Sequence, residues 1–309
     1  MKPFDCKQII LLLCVLFLAC APTKNAGEKI PEYLEKSACG ERHLLWHLQK
    51  EGRGNIWLLG SIHMADSSFY PLASVIDSAL ETSDLVAVEL DILKDSTVKE
   101  TQSLVLNDGY LPRGVLLKNV LPDTLYRTLD SISRAWEIPV SVFENFRPWL
   151  VANALSAAAF EQAGLEAELG IDVEIISRAN DLGKRVFPLE TPESQLKIFS
   201  AKEDSLGIGY LESTFREIRS LDSLVLGLFS AWKCGDAAAL RQFLSAEVDD
   251  NVYGDEIYAK RNVLMAQKLD SLSAAGQKVF ATVGAAHLVG DAPNVLTLLE
   301  EKGYQIKAR

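Results

Sequence analysis

Two apolar runs in this chain close on the same figure, Gly-x-x-His. Ile56-Trp57-Leu58-Leu59 leads into Gly60-Ser61-Ile62-His63, and Val279-Phe280-Ala281-Thr282-Val283 leads into Gly284-Ala285-Ala286-His287. Short apolar runs bounded by small or polar residues read as buried strands of an α/β sheet. Glycine at the end of such a strand permits a sharp turn or the close approach of another group. The sequence holds only four histidines, and two of them stand in this repeated setting. Whatever fold forms must present a glycine and an imidazole beyond the ends of two strands.

The elements between these motifs set the architecture. Leu44–Leu48 and the strand at Ile56 flank Glu51-Gly52-Arg53-Gly54, which predicts a hairpin. A helix over about 72–82 precedes a second apolar strand, Leu85–Val88, which runs into Glu89 and Asp91. From Leu93 the pattern becomes helical, with Pro122 and Pro148 at helix starts and Asp172 as an N-cap. Arg185–Leu189 reads as a strand ending at Glu190, followed by one long helical tract to Trp232. Strands alternating with helices imply βα units and a mostly parallel sheet. We expect residues 43–309 to form one domain, with a helical insertion at about 93–275.

The N-terminus reads as a targeting segment. A basic stretch through Lys7 precedes an apolar run, Ile9–Ala19, too short to span a bilayer. Phe17-Leu18-Ala19-Cys20 resembles a bacterial lipobox, with cleavage before Cys20 and a lipid on that cysteine. Residues 1–19 are then a signal peptide and 20–42 a polar tether. The expected location is the bacterial cell envelope, lipid-anchored at the outer membrane or the periplasmic face. A simple cleaved signal, giving a soluble secreted or periplasmic protein, is the alternative. Cys39 and Cys234 are then an even pair in an oxidising compartment, either disulfide-bonded or two thiols. The formal charge of −11, without a Lys/Arg cluster, argues against a nucleic-acid partner.

Four predicted strand ends carry His63, Glu89, Glu190 and His287. In open parallel sheets, ligands bind beyond the carboxyl ends of the strands, so distant residues can meet at one rim. Two imidazoles and a carboxylate suit a divalent metal, with Glu190 or Asp91 as orienter or general base. Structural hydrogen bonding is the competing reading for each histidine, and helix capping for Glu190. Arg261-Asn262 reads as an exposed polar pair, unless its helix faces the rim and Arg261 clamps a substrate carboxylate. His43 and His47 read as ordinary. The chain has no Gly-x-Ser-x-Gly elbow, His-Glu-x-x-His, P-loop or Gly-x-Gly-x-x-Gly.

A series of further motifs accompanies these. They are Tyr70-Pro71, Tyr110-Leu111-Pro112-Arg113-Gly114, Arg147-Pro148-Trp149, Gly170-Ile171-Asp172, Leu189-Glu190-Thr191 with Gln195, Arg261-Asn262 and Gly303-Tyr304. In this order the chain resembles the TraB/GumN family, which includes bacterial pheromone-shutdown proteins and the animal Tiki proteins. The resemblance implies an α/β fold with a split site, of the erythromycin-esterase-like and haem-binding-lipoprotein superfamily. It also implies a metal-dependent peptidase, with manganese or cobalt favoured and zinc possible, on His63, Glu89 and His287. The chain has Ser61-Ile62 where Thr-Met or Thr-x is frequent in the family. Three readings stay open: a hydrolase of a peptide or small molecule, a lipoprotein that sequesters such a ligand, and a haem- or iron-handling surface protein.

Overall fold

The two Gly-x-x-His strands lie side by side at the centre of a six-stranded sheet. The structure, a computed structural model, describes residues 42–200, 204–245, 258–290 and 293–309. Its strands are β1 (Leu45–Gln49), β2 (Ile56–Ser61), β3 (Leu85–Val88), β4 (Arg185–Pro188), β5 (Val279–Gly284) and β6 (Gln305–Ala308). They are ordered β4-β3-β5-β2-β1-β6. β2, β3, β4 and β5 are mutually parallel, whereas β1 runs antiparallel to both β2 and β6. The mixed α/β class and the mostly parallel sheet therefore match the expectation, and the β1–β2 hairpin turns at the glycine-rich loop.

Burial explains which strands sit where. β3 and β5 are buried along their whole length and β2 almost so, as parallel strands covered on both faces must be. The edge strands β4 and β6 carry Arg185, Gln305 and Lys307 and are largely exposed, which discourages pairing with another sheet. Phe280 is fully buried, as are Leu58, Leu59 and Val86. The helix Ile171–Asp181 packs against β3, β4 and β5, and the helix Lys260–Ala274 packs against β5.

Most of the intervening chain is helical, but it also supplies β4 to one sheet edge. The tract after β4 is not one long helix. It divides into Pro192–Ser200, Asp204–Ile218 and Leu221–Lys233. The last break follows Ile218, where Arg219-Ser220 leave the helix before Leu221 restarts it. This division lets the third helix turn back onto the rim. There Trp232 Nε1 donates to the carbonyl of Gly60 at 2.8 Å, tying the helical block to the end of β2. Phe69 in the loop after β2 packs against Phe229 and Trp232 of the same helix. Cys234, just beyond it, is disulfide-bonded. Cys20 and Cys39 lie outside the described residues, as do the signal segment and most of the tether.

Away from the rim, Asp270 joins three parts of the fold. Its carboxylate accepts from Arg53 in the hairpin turn, from Lys302 at 3.3 Å and from Tyr304 Oη at 3.0 Å. Burial works to raise its pKa, but Tyr304, Lys302 and Arg53 outweigh this and hold it below the ordinary Asp value. A carboxyl depressed in the folded state contributes stability above its unfolded pKa, lost as pH falls through the folded one. Asp270→Asn should therefore cost about 1 kcal/mol near neutral pH in urea unfolding. The difference from wild type should shrink as pH drops below about 4.

Candidate functional site

The site begins with the register of β2 and β5. Ser61 pairs with Gly284, so both strands end at the same height and their following turns rise together. Val88 of β3 pairs with Thr282, which places Glu89 beside the end of β5. Leu189 N donates to the carbonyl of Val88, and Glu190 N to that of Glu89, which extends β4 alongside. The helix Lys260–Ala274 brings Arg261 and Asn262 to the same rim.

These side chains converge. Glu89 Oε1 accepts from the backbone amide of Gly284 at 2.5 Å, and Oε2 accepts from Arg261 Nη2 at 2.7 Å. Arg261 also donates from Nε to Glu190 Oε1 at 2.7 Å and from Nη2 to Glu190 Oε2 at 2.6 Å. Gln195 Nε2 donates to Glu190 Oε2 at 2.9 Å. His287 Nε2 lies 3.9 Å from Glu89 Oε1. A methyl group on Gly284 would lie 3.2 Å from Glu89 Oε1, 3.4 Å from His63 Nε2 and 3.7 Å from His287 Cδ2. One point in space thus faces both imidazoles and the carboxylate, and the missing side chain of Gly284 leaves it open.

Each imidazole is fixed from behind. His63 Nδ1 donates to Asp172 Oδ2 at 2.9 Å, because an ionised carboxylate can only accept. His287 Nδ1 lies 2.5 Å from Asn262 Oδ1. The Asn262 amide is oriented by its Nδ2, which donates to the carbonyl of Pro293 at 3.0 Å. With Nδ1 engaged on each ring, Nε2 is the nitrogen turned to the cluster: that of His63 lies beside the Gly284 position and that of His287 lies 3.9 Å from Glu89 Oε1. Tyr258 meets the His287 ring at 5.3 Å in an edge arrangement.

Burial governs the electrostatics. His63, Glu89, Glu190, Arg261 and His287 are all buried. Burial pushes the Glu89 carboxyl up, against the pull of Arg261, His63 and the Gly284 amide. Burial, together with Arg261 and His63, holds His287 well below its usual value, so that ring is neutral. Burial also disfavours the charged form of His63, but Asp172 and Glu89 outweigh it and raise that pKa. Glu89, Glu190 and Asp172 oppose one guanidinium, so the formal balance of the cluster is negative. A bound divalent cation would offset both excess charges, and a proton on His63 one of them.

The residues present fit a divalent ion in their chemistry. Two oriented imidazoles and a carboxylate oxygen are a common ligand set, with the ring Nδ1 atoms engaged as such ligands usually are. The spacing is looser than a finished cage. Two ligands of one tetrahedral ion stand roughly 3.4 Å apart, for bonds of about 2.1 Å, against the 3.9 Å here. Among the described residues no group of three His, Cys, Asp or Glu side chains forms a preorganised metal cage.

Of the residues singled out from sequence, the structure gathers His63, Glu89, Glu190, Arg261 and His287. Asp91 takes no part in these contacts. His47 stacks on Trp57 at 4.2 Å, far along β1 from the rim. Arg261-Asn262 is not an exposed pair, since both are buried and both hold partners in the site. Asp172 is not an N-cap: Gly170 caps the helix, and the Asp172 carboxylate turns to His63. Asp172 and Asn262 are the site residues that sequence reasoning missed. Their signal was adjacency to other motif residues, Gly170 and Arg261.

Fold and site together define an α/β protein with a buried two-histidine, two-carboxylate, one-arginine centre at the carboxyl rim of a mostly parallel sheet. A TraB/PrgY/gumN family profile matches residues 44–308, and the chain belongs to that family. It is 27% identical to the uncharacterized protein YbaP of Escherichia coli K12 over 240 residues, 78% of this chain and 86% of that protein. It is 23% identical to the metalloprotease TIKI1 of Xenopus tropicalis over 97% of this chain and 68% of that protein. Against the metalloprotease TIKI2 of the same frog it is 24% identical, over 89% and 61%. No solved structure matches the chain significantly.

Gly170 seats Asp172 beneath His63. A methyl group there would lie 2.5 Å from the His63 carbonyl oxygen, which is backbone and cannot rotate away. Gly170→Ala should cost about 2–3 kcal/mol in denaturant unfolding, through this overpacking. Arg261→Ala should cost roughly 3–5 kcal/mol, because it leaves two buried carboxylates without their cation.

Proposed function

We propose that this protein is a metal-dependent hydrolase of the cell envelope that acts on peptide bonds. The observation that carries the reading is the meeting of His63, Glu89 and His287 around Gly284, with both imidazoles held at Nδ1 by Asp172 and Asn262. The metalloprotease relatives support the choice of a divalent ion and of a peptide substrate. A split site of the erythromycin-esterase-like kind is part of the same proposal.

His63 Nε2, His287 Nε2 and Glu89 Oε1 would hold the ion, manganese or cobalt in preference to zinc. Such an ion supplies Lewis acidity and brings the pKa of water to about 7. The protein's own groups do the rest. Asp172 and Asn262 keep the two rings in the tautomer that presents Nε2. Arg261 fixes the second oxygen of Glu89, leaving Oε1 to serve the ion or a proton. Burial raises the proton affinity of Glu89, an effect that a bound cation would oppose. Sequence reasoning gave Glu190 a part in proton transfer and Arg261 a clamp on substrate. In our reading these two engage each other and act by positioning Glu89. The helix that carries Trp232 is tied to the end of β2 beside this cluster through the carbonyl of Gly60.

The test uses the mature chain. It should take up one equivalent of Mn²⁺ or Co²⁺ by calorimetry and cleave members of a quenched-fluorescent peptide library. His63→Ala and His287→Ala should each abolish uptake and lower cleavage by at least about 100-fold. Metal uptake unchanged in both variants would overturn the site. Tight binding of one library peptide without cleavage would favour a sequestering protein, and a Soret band on haem titration a haem-binding one.

The proposed envelope location rests on lipidation of Cys20. Cys20→Ser should move the protein from the membrane fraction to the soluble fraction on ultracentrifugation. Persistent membrane association of that variant would remove the anchor from the proposal.

A further inference from the structure

The described residues include two buried hydroxyls beside the centre that the reading above does not use. Ser61 Oγ and Thr282 Oγ1 are both shielded from solvent and have no hydrogen-bond partner among the described residues. Ser61 is 2% exposed and Thr282 1%. Buried hydroxyls in native proteins are nearly always satisfied, so each exception calls for a partner from outside the chain or a reason.

Register gives the direction of Ser61. It pairs with Gly284 on the neighbouring parallel strand, so their Cα–Cβ directions share one sheet face, about 5 Å apart. The Cβ direction of Gly284 leads to Glu89 Oε1 and His63 Nε2. Ser61 also lies two residues before His63, whose Nε2 the Cβ direction of Gly284 meets at 3.4 Å. Because Gly284 has no side chain, nothing on that strand separates the Ser61 hydroxyl from the point that both imidazoles face. Thr282 lies two residues deeper on the same face, paired with Leu59 and Val88, away from the mouth of the cluster.

A buried donor kept without a protein partner weakens the fold relative to an alanine. Such a sacrifice is typical of residues whose partner is a ligand. We propose that Ser61 is a substrate-binding residue of this centre. Its hydroxyl donates a hydrogen bond to a carbonyl oxygen of an acyl compound, a peptide or ester, held against His63, Glu89 and His287. The ligand class rests on the hydrolase reading, while the direction and satisfaction of the hydroxyl do not.

Two experiments separate these. In the first, Ser61→Ala, Ser61→Thr and Thr282→Val are compared with wild type in melting temperature and in peptide cleavage with Mn²⁺. Ser61→Ala should lower kcat/KM by about 10- to 100-fold, as expected for the loss of one site donor, with a melting temperature equal to or above wild type. Ser61→Thr, which keeps the hydroxyl, should restore most of the rate, and Thr282→Val should stay within about twofold. Full activity in Ser61→Ala, or a loss that tracks a fall in melting temperature, overturns the proposal.

The second experiment decides the matter even if the wild type cleaves no peptide. In a high-resolution crystal structure of the wild-type mature chain, an ordered water should accept from Ser61 Oγ on its His63 side. That water should be displaced by the carbonyl of a soaked N-acetyl dipeptide. A Ser61 hydroxyl bonded to a protein carbonyl, or no ordered oxygen there, overturns the proposal independently of the hydrolase reading.

Discussion

The guanidinium of Arg261 is the charge on which the rim depends. It reaches Glu89 after β3 and Glu190 after β4 from a helix that packs on β5, so one cation joins three elements that are distant in sequence. Without it, two carboxylates would share a buried space at a cost that neither the Gly284 amide nor the Gln195 amide could offset alone. With it, each carboxylate has one defined orientation. The Glu89 oxygen that turns to Gly284 is the one that faces the imidazoles. Charge pairing here does more for geometry than for net stability, because desolvation takes back much of the Coulombic gain.

Around that cation the site is built in pairs. Each imidazole has one nitrogen committed to a fixed acceptor and the other turned inward. Glu89 and Glu190 both hold Arg261, while Asp172 holds His63. The carboxylate behind His63 and the amide behind His287 are not equivalent. Asp172 favours a proton on His63, whereas the neutral Asn262 leaves burial free to keep His287 uncharged. Two rings of the same chemistry therefore differ in proton affinity, raised at His63 and lowered at His287.

The parts of this arrangement that were legible in the sequence are those carried by local pattern. Apolar runs ending in glycine marked β2 and β5, and the βα alternation placed His63, Glu89, Glu190 and His287 at one rim. Asp172 was not legible, because an acidic residue in the first turn of a helix has the same local appearance whether it caps that helix or supports a distant ring. Long-range contacts bring that turn beneath His63: Ala65 and Glu166 exchange backbone hydrogen bonds, Ile171 N donates to the Ile62 carbonyl, and Tyr70 Oη donates to that of Leu169. Arg261-Asn262 was open to two readings, exposed pair or rim residue, because polarity within a helix reports exposure only when no buried charge awaits it. The helical tract after β4 was over-extended because apolar spacing continues through Arg219-Ser220, and the break there is decided by the third helix folding back onto Gly60.

The adjacency of β2 and β5 carries a consequence for how the protein comes to exist. The paired segments are separated by more than 200 residues of chain, so their ladder is a contact of very high sequence separation. Closing so long a loop is entropically unfavourable until the intervening helices and β4 have organised the ends. Before residues 261–287 are synthesised, the chain carries only the first of the two rim imidazoles, without Arg261 to orient Glu89 and without Asn262. The assembled rim is thus withheld from every partial chain and arises only when the last third of the protein is in place.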